Sequence, residues 1–320
     1  MSEDTVSVML AAGGTGGHMF PAYALAEELA RRGVTVDLVT DMRGDRYGKG
    51  FPARATYRVP SATLTSRQPW AVARTGFTLL SGLRAAHKLL GEVRPRAVIG
   101  FGGYPTVPPL AAAYLRRIPT AIHEQNAVLG RANRMLARRV TAVATSFDRV
   151  ELLDGVALSK VRCTGNPVRA AVLQWGRGPY RPPEPGGSLV LLVVGGSQGA
   201  RFFSDTVPAA LKRLAPEVRA KVKVVQQCRV EDLDRVRSAY EQLGIAADLA
   251  TFFDNLPERM AGAHLVLGRA GASSVAELAA VGRPSILVPL PHAVDNDQLH
   301  NATKLADAGG AWCIEQRDLT

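Results

Sequence analysis

Two glycine-rich turns carry the residue types best suited to hold a phosphate group. GGTGGH at 13–18 follows the apolar run VSVMLAA, and GGSQGAR at 195–201 follows LVLLVV. A strand that ends in such a turn and opens a helix offers unpaired backbone N–H groups and the positive end of a helix dipole to an anion. Because the chain carries this arrangement twice, we expect each half to bind one phosphate-bearing reactant.

The first turn departs from the commonest nucleotide-binding motifs. A dinucleotide site needs G-x-G-x-x-G, but in a motif that starts at Gly14 the third glycine position is Met19. The sequence also lacks G-x-x-x-x-G-K-[ST], which leaves a P-loop nucleoside triphosphatase unsupported. The pattern therefore favours diphosphate binding without hydride transfer.

Two further segments follow apolar runs in the first half of the chain. GFGGYP at 100–105 precedes a helical pattern, and HEQN at 123–126 follows the run TAI. The carboxyl ends of parallel strands meet at one edge of a sheet, so both segments should lie near the first glycine turn. A tight strand-to-helix turn explains the first segment equally well, and a capping or turn role explains Asn126.

The elements that must position these turns form repeated β-α-β patterns. Apolar runs occur in VSVMLAA, TVDLVTD, ATYRVP, RAVIGFG, TAIHEQ, AVAT and KVRCTG, and later in SLVLLVVGG, KVKVVQQC, DLATFF, AHLVLG, PSILVPL and AWCIEQ. Amphipathic stretches such as PAYALAEELARRG separate most of them. The pattern predicts an α/β protein with two Rossmann-like, doubly wound parallel-sheet domains that face each other across a cleft.

A proline- and glycine-rich segment, TGNPVRAAVLQWGRGPYRPPEPGG, interrupts this alternation. The sequence therefore predicts a first domain at 1–166, a linker at 167–187 and a second domain at 188–320.

The composition of the chain limits the classes of partner that it is expected to bind. The 39 Lys and Arg against 28 Asp and Glu give a net charge of +11, which suits nucleic acid, an anionic membrane or phosphorylated substrates. Nucleic acid is disfavoured, because the arginines are dispersed and only 6% of the residues are aromatic.

The sequence also bears on the location of the chain. No apolar run is long enough to span a membrane, and the first residues, MSEDTVSVML, lack the positive charge of a secretory leader, so we expect a cytosolic chain. The three scattered cysteines predict reduced core thiols.

Eight motifs resemble, in order, the MurG family of N-acetylglucosaminyltransferases: GGTGGHMFPA, GFGGYPTVPP, HEQNAVLGRANR, TGNPVR, GGSQGAR, FFDNLPERM, GRAGASSVAEL and VPLPHAVDNDQLHNA. The resemblance extends from about residue 6 to the end. It implies a GT-B fold with the acceptor on the first domain and the UDP-sugar on the second. The implied reaction is inverting transfer of N-acetylglucosamine from UDP to the C4 hydroxyl of MurNAc in lipid I, which forms lipid II.

The resemblance assigns donor contacts in both domains. Glu277 is implied to hold the ribose hydroxyls, although SVAE at 274–277 also fits a capping box. Gln298 and Asn301 are implied to hold the sugar hydroxyls, or else are ordinary exposed residues, and Asp297 departs from the family's usual residue. The remaining implied donor-binding residues are Thr15, Gly16, Arg169, Ser197, Gln198, Phe253 and Ala272.

His18 is the candidate catalytic residue. The positive end of a helix dipole favours a neutral imidazole, which is the state that a general base requires. Binding the acceptor's diphosphate is the alternative role. Gly14, Gly17, Gly103, Tyr104 and Asn126 are expected to surround the acceptor. No metal or other cofactor is expected, because helix dipoles and Arg169 would balance the charge of the leaving diphosphate.

The tract at 67–84 predicts an interfacial helix, in which Trp70, Phe77 and Leu80 enter a membrane surface beside Arg74 and Arg84. A core helix with a solvated charged face explains the tract as well. The implied partners are UDP-N-acetylglucosamine, lipid I, the anionic inner-membrane surface and other cell-wall synthesis proteins. The implied location is peripheral, at the cytoplasmic face of the inner membrane.

Two alternatives stay open on the sequence alone. One is another GT-B enzyme that transfers a sugar from UDP to a glycolipid. The other is a UDP-N-acetylglucosamine-binding fragment without activity, because family members continue with C-terminal helices that we expect these 320 residues to lack.

Overall fold

The structure is a computed structural model that describes residues 6–41, 50–62, 68–176 and 178–319. The side chains of residues 69, 71–73, 197–200 and 294 are outside that description. The chain divides into two compact units, Met1–Arg169 and Ala170–Thr320.

The first unit is a seven-stranded parallel sheet with helices on both faces. Its strands are β1 (Ser7–Ala11), β2 (Thr35–Thr40), β3 (Ala55–Arg58), β4 (Ala97–Gly100), β5 (Thr120–Glu124), β6 (Ala142–Thr145) and β7 (Val161–Cys163). Its helices are α1 (Gly16–Arg31), α2 (Pro69–Val93), α3 (Val107–Leu115) and α4 (Arg131–Leu136). The strand order β3-β2-β1-β4-β5-β6-β7 puts β1 beside β4, so the order reverses between these two strands. Ligands of doubly wound sheets bind at this point.

The two faces of β1 bury different helices. Met9 and Ala11 pack into the core that α2, α3 and α4 cover, whereas Leu10 packs with Met19 and Ala22 of α1. Successive strand residues point to opposite faces, so an apolar run without alternation is what a sheet covered on both sides requires.

The second unit repeats this design with six parallel strands in the order β10-β9-β8-β11-β12-β13. The strands are β8 (Leu189–Val194), β9 (Val222–Gln227), β10 (Ala246–Ala250), β11 (Leu265–Gly268), β12 (Ser285–Leu287) and β13 (Ala311–Cys313). The helices are α5 (Ala170–Leu173), α6 (Gly196–Lys212), α7 (Pro216–Arg219), α8 (Leu233–Gln242), α9 (Leu256–Gly262), α10 (Ala272–Val281) and α11 (Asp297–Asp307). Its largest buried side chains, Phe203 of α6 and Tyr240 of α8, pack against β8 and β9.

The predicted fold class, two doubly wound parallel sheets, is confirmed, and each of the thirteen apolar runs overlaps a strand. Within 167–187, where the sequence predicts a linker, the chain forms α5, which packs against α9 and α10. The expectation of three core thiols is wrong, because Cys163 is exposed on β7 and only Cys228 is buried. None of the helices within the described ranges has the length and apolarity needed to cross a membrane.

Candidate functional site

The imidazole of His18 lies in a slot between two glycine turns. His18 is in the first turn of α1, and the backbone N–H of Gly13 donates to the carbonyl of Gly102 over 3.1 Å, which joins the turns after β1 and β4. A Cβ built on Gly13 would lie 3.2 Å from Cδ2 of His18, and one on Gly102 would lie 3.1 Å from Cε1. A Cβ built on Gly103 would lie 3.3 Å from Cδ2. We call the backbone of these three glycines the imidazole slot.

The slot needs glycine for a second reason. Gly102 and Gly103 have φ angles of +92° and +77°, a region that residues with side chains rarely adopt. The glycine-rich turns of the first unit thus serve to admit a side chain, a role that comes in addition to the anion binding predicted from sequence.

A hydrogen-bonded series of side chains runs from His18 into the core. Nδ1 of His18 lies 3.1 Å from Oε1 of Gln125, and Nε2 of Gln125 lies 3.0 Å from Nδ1 of His123. Nε2 of His123 lies 3.0 Å from the carbonyl oxygen of Gly165. His123 packs on the ring of Phe101, and burial lowers the pKa of its imidazole.

Glu124 holds the loop that follows β5. The carboxylate is 1% exposed and accepts four hydrogen bonds. Oε1 accepts from the backbone N–H and the side-chain amide of Asn126, at 3.0 and 3.3 Å. Oε2 accepts from the backbone N–H of Gly130 and from Nδ2 of Asn133, both at 2.8 Å. The turn role that the sequence allowed for Asn126 is therefore present, and Glu124 is its partner.

The predicted acceptor-binding residues come from loops after neighbouring strands. Gly14 and Gly17 follow β1, Gly103 and Tyr104 follow β4, and Asn126 follows β5. Gly17 has open space where a side chain would be, Gly103 forms part of the imidazole slot, and Tyr104 begins a short 3-10 turn. Their acceptor contacts stay predictions.

Phe20 of α1 joins two predicted donor-binding residues of the first unit. The guanidinium of Arg169 lies 4.1 Å from the centre of the Phe20 ring, and a Cβ on Gly16 would lie 3.1 Å from that ring. Arg169 itself is half-buried. Thr15 precedes α1, and its carbonyl accepts from the N–H groups of His18 and Met19 at 3.1 and 2.9 Å.

In the second unit, the capping-box interpretation of Glu277 is wrong. Helix α10 begins at Ala272 with Gly271 as its N-cap, so Ser274 is the third helical residue and cannot cap this end. Glu277 is buried in the second turn of the helix. Its predicted contact with a ribose stays a prediction. Ser197 and Gln198 lie in the first turn of α6, but their side chains lie outside the described ones.

Asn301 holds the turn before α10. It is 0% exposed, and its Nδ2 donates to the carbonyl of Ala270 over 3.1 Å. Oε1 of Gln298 accepts from the backbone N–H of Leu290 at 3.0 Å, and Asp297 accepts from the N–H of Gln298 at 2.7 Å. The view of Asn301 as an ordinary exposed residue is thus wrong.

The side chain of Phe253, one of the implied donor-binding residues, is packed within the second unit. Phe253 is buried, and the guanidinium of Arg259 lies 4.3 Å from its ring centre.

Sequence reasoning assigned no role to Arg269, which organises three segments of the second unit. It follows β11, and Nη1 donates to the carbonyls of Val288 and Pro289, each at 3.1 Å. Nη2 donates to Oε1 of Gln316 over 2.7 Å. Burial lowers the pKa of this guanidinium. The signal was an arginine inside an otherwise apolar and small segment, LVLGRAGA.

Among the side chains that the structure describes, no group of three His, Cys, Asp or Glu residues is arranged to hold a metal ion.

Comparisons with known proteins cover both units. The glycosyltransferase family 28 N-terminal domain matches residues 8–145, and the glycosyltransferase family 28 C-terminal domain matches residues 190–320. A protein of Rhodopseudomonas palustris is 54% identical over 317 residues, which are 99% of this chain and 87% of that protein. A protein of Rhizobium etli is 52% identical over 313 residues, 98% of this chain and 83% of that protein. Both are named UDP-N-acetylglucosamine–N-acetylmuramyl-(pentapeptide) pyrophosphoryl-undecaprenol N-acetylglucosamine transferase.

Solved structures agree with this likeness. The crystal structure of MurG from Acinetobacter baumannii matches with a TM-score of 0.77 at 30% identity, over 99% of this chain and 87% of that one. UDP-GlcNAc 2-epimerase of Neisseria meningitidis, bound to UDP-GlcNAc, matches with a TM-score of 0.66 at 15% identity, over 97% of this chain and 88% of that one, and shows a shared fold alone. The predicted GT-B fold is confirmed. The near full-length identity to several named transferases, together with both domain matches, shows that the chain belongs to the MurG family of N-acetylglucosaminyltransferases.

Proposed function

We propose that this chain transfers N-acetylglucosamine from UDP-N-acetylglucosamine to the C4 hydroxyl of MurNAc in undecaprenyl-diphospho-MurNAc-pentapeptide, lipid I, and so forms lipid II. The observation that carries the proposal is the 54% identity, over 87% of its length, to a transferase named for this reaction. The fixed imidazole of His18 beside the loops after β1, β4 and β5 supplies a chemical basis for it.

The proposed reaction is a single displacement. His18 accepts the proton of the C4 hydroxyl while that oxygen attacks C1 of the donor sugar. The bond between C1 and the diphosphate oxygen breaks with its electrons on UDP, so the configuration at C1 inverts. A positioned base of this kind contributes about 10²- to 10⁴-fold to a rate.

Charge on the departing UDP is balanced in this proposal by protein groups, without a metal ion or other cofactor. The N-terminus of α6, with Ser197 and Gln198, offers backbone N–H groups and the positive end of a 17-residue helix. Arg169 supplies a guanidinium, whose hydrogen bonds to a diphosphate strengthen as charge develops. Glu277 accepts from the ribose hydroxyls, and Gln298 and Asn301 contact the sugar.

The test is transfer of radiolabelled N-acetylglucosamine to a soluble lipid I analogue, with a diacylglycerol acceptor in parallel. We expect His18→Ala to lose about 10²- to 10⁴-fold in turnover and to keep donor affinity by calorimetry. Glu277→Ala should weaken donor binding. His87→Ala and Glu258→Ala, both at exposed positions, are the matched controls. Transfer to diacylglycerol but not to the lipid I analogue would overturn the proposal, as would donor binding without any transfer.

We also propose that the outer face of α2 binds an anionic membrane surface. Trp70, Arg74, Phe77, Leu80 and Arg84 recur at three- or four-residue spacing and are exposed, with Trp70 and Phe77 at 65% and 73%. Such a helix face combines apolar insertion with attraction to anionic lipid.

Neighbouring helices extend this apolar face. Helices α2 and α3 pack together, as do α3 and α4, and all three cover the same side of the sheet. A groove of about 310 Å³ between α3 and α4 is bordered by the exposed side chains of Tyr114, Leu115 and Met135. This surface fits a peripheral enzyme at the cytoplasmic face of the inner membrane, where its lipid-linked acceptor would lie.

Sedimentation with phosphatidylglycerol vesicles, against phosphatidylcholine vesicles, tests this surface. Burial of a Phe side chain contributes about 1.5–3 kcal/mol, so Phe77→Ser should weaken vesicle binding by about 10- to 150-fold. Leu158→Ser, an exposed residue away from α2, is the control. Equal binding of the two variants would contradict the proposed surface.

A further inference from the structure

We propose that Gln125 is a positioning residue that holds His18 as its Nδ1–H tautomer and leaves Nε2 as the atom that accepts the acceptor's proton. The inference rests on the proposed function for the meaning of that proton, but the tautomer itself follows from hydrogen bonds within the first unit. The argument starts at the two ends of the series His18–Gln125–His123–Gly165, where the chemistry allows one choice.

At the His123 end of the series, a backbone carbonyl determines which ring nitrogen carries the proton. The backbone oxygen of Gly165 can only accept, so Nε2 of His123, 3.0 Å away, must carry a proton. His123 is 4% exposed, and burial lowers its pKa, so the neutral ring is favoured. A neutral ring with a proton on Nε2 has a lone pair on Nδ1, which must receive a hydrogen bond.

The amide of Gln125 is fixed independently. Its Nε2 lies 2.7 Å from the carbonyl oxygen of His123, and a carbonyl tolerates only a donor at that distance. The same NH₂ group therefore also donates to Nδ1 of His123 at 3.0 Å. Both arguments place the NH₂ group toward His123, although a side-chain amide alone could be turned either way.

The orientation of Gln125 then determines the tautomer of His18. With the NH₂ group toward His123, Oε1 faces Nδ1 of His18 at 3.1 Å, and an amide oxygen can only accept. Nδ1 of His18 is thus the protonated nitrogen. Among the described residues, Gln125 is the sole hydrogen-bond partner of this imidazole, so in the neutral ring Nε2 keeps its lone pair for a substrate. In serine proteases a buried acceptor on Nδ1 fixes the base in the same way.

The position of the ring depends on the same contact. The backbone approaches the imidazole at Cδ2 through Gly13 and at Cε1 through Gly102, and Gln125, which is 1% exposed, contacts it at Nδ1. Rotation of the ring by half a turn about its Cβ–Cγ bond would exchange Nδ1 for a carbon and lose the bond to Oε1. Gln125 therefore selects one ring orientation as well as one tautomer.

Nitrogen-15 NMR of histidine-labelled enzyme tests the inference without any turnover, since protonated and unprotonated ring nitrogens differ strongly in shift. We expect wild-type His18, assigned by its loss in His18→Gln, to carry its proton on Nδ1 at neutral pH. In Gln125→Met, which keeps the length of the side chain but not its hydrogen bonds, the Nε2–H tautomer should appear. A wild-type His18 with its proton on Nε2 would overturn the inference even if the variant failed to fold.

Steady-state kinetics supply the second measurement. Gln125→Met should lower kcat by about 10- to 100-fold, less than removal of the base itself, with each KM within about twofold of wild type. The control is Gln174→Met, which loses one exposed hydrogen bond from a side-chain amide to the Ala171 carbonyl. A raised KM with unchanged kcat would contradict a role through His18. Absence of transfer by the wild-type enzyme would instead refute the proposed function and leave the tautomer result standing.

Discussion

Replacement of Glu124 with glutamine tests whether its carboxylate organises the loop after β5. All four groups that bond to Glu124 are donors, two on Oε1 and two on Oε2. A carboxylate accepts on both sides, but a carboxamide has an NH₂ group on one of them. Whichever way the new amide turns, its NH₂ group faces two donors of the loop. The two hydrogen bonds that these donors made to the carboxylate are then lost.

The size of the effect follows from that count. A hydrogen bond to a charged group contributes about 1.5 kcal/mol at the low end of its range, so two lost bonds cost about 3 kcal/mol. For a domain of about 150–250 residues, 1 kcal/mol shifts Tm by about 2–4 °C. The first unit of the Glu124→Gln variant should therefore unfold about 6–12 °C below wild type.

Differential scanning calorimetry provides the assay, because the transitions of two units can be separated. Glu28→Gln is the matched control, since Glu28 is a partly exposed residue of α1 whose carboxylate pairs with the exposed guanidinium groups of Arg31 and Arg32. Exposed ion pairs add little to stability, so the control should stay within about 1 °C of wild type. A decrease below about 2 °C for Glu124→Gln would refute the account of this loop.

Three further predictions concern both units. Gly102→Ala should lower kcat by more than about tenfold, because the new Cβ would lie 3.1 Å from Cε1 of His18 at a φ of +92°; transfer assays check it. At pH 8, iodoacetamide should modify exposed Cys163 and spare Cys228, whose thiol pKa is raised by burial; peptide mass spectrometry measures this. Hydrogen bonds from two arginines lower the pKa of Asp232 below its usual 3.8, so their contribution is present above pH 3.8 and is lost as pH falls through the lowered pKa. The stability difference between wild type and Asp232→Asn, measured by urea unfolding, should therefore shrink below pH 3.8.

The sequence predicted the strands better than the roles of individual side chains. A buried parallel strand is a local apolar run, and such a run is visible within a few consecutive residues of the sequence. The start of α10 shows the limit: SVAE at 274–277 fits a capping box, yet the helix begins at Ala272, because Gly271 can serve as N-cap at little cost. The local sequence is compatible with two N-termini for this helix, and the conformation of the loop before it determines which one forms.

The candidate site shows the same contrast between local features, which the sequence reveals, and long-range contacts, which it does not. His18 was predicted, because a histidine after a glycine turn is a local feature. The role of Gln125 was not, because its partner is 107 positions away and the amide is oriented by a third segment at Gly165. Polar residues at the end of β5 pointed to a site, but only the fold shows which of them meets the imidazole.

The imidazole slot also bears on how the chain is made. Its walls, Gly13 and Gly102, come together through the pairing of β1 with β4, and the segment between them includes α1, β2, β3, α2 and β4 itself. During synthesis His18 emerges early, but Gly102 follows it by more than eighty residues, and Gln125 comes later still. Contacts of such sequence separation are slow to form. A nascent or partly folded chain thus holds an unrestrained histidine, and the reactive group acquires its orientation only once the central strands of the sheet have assembled.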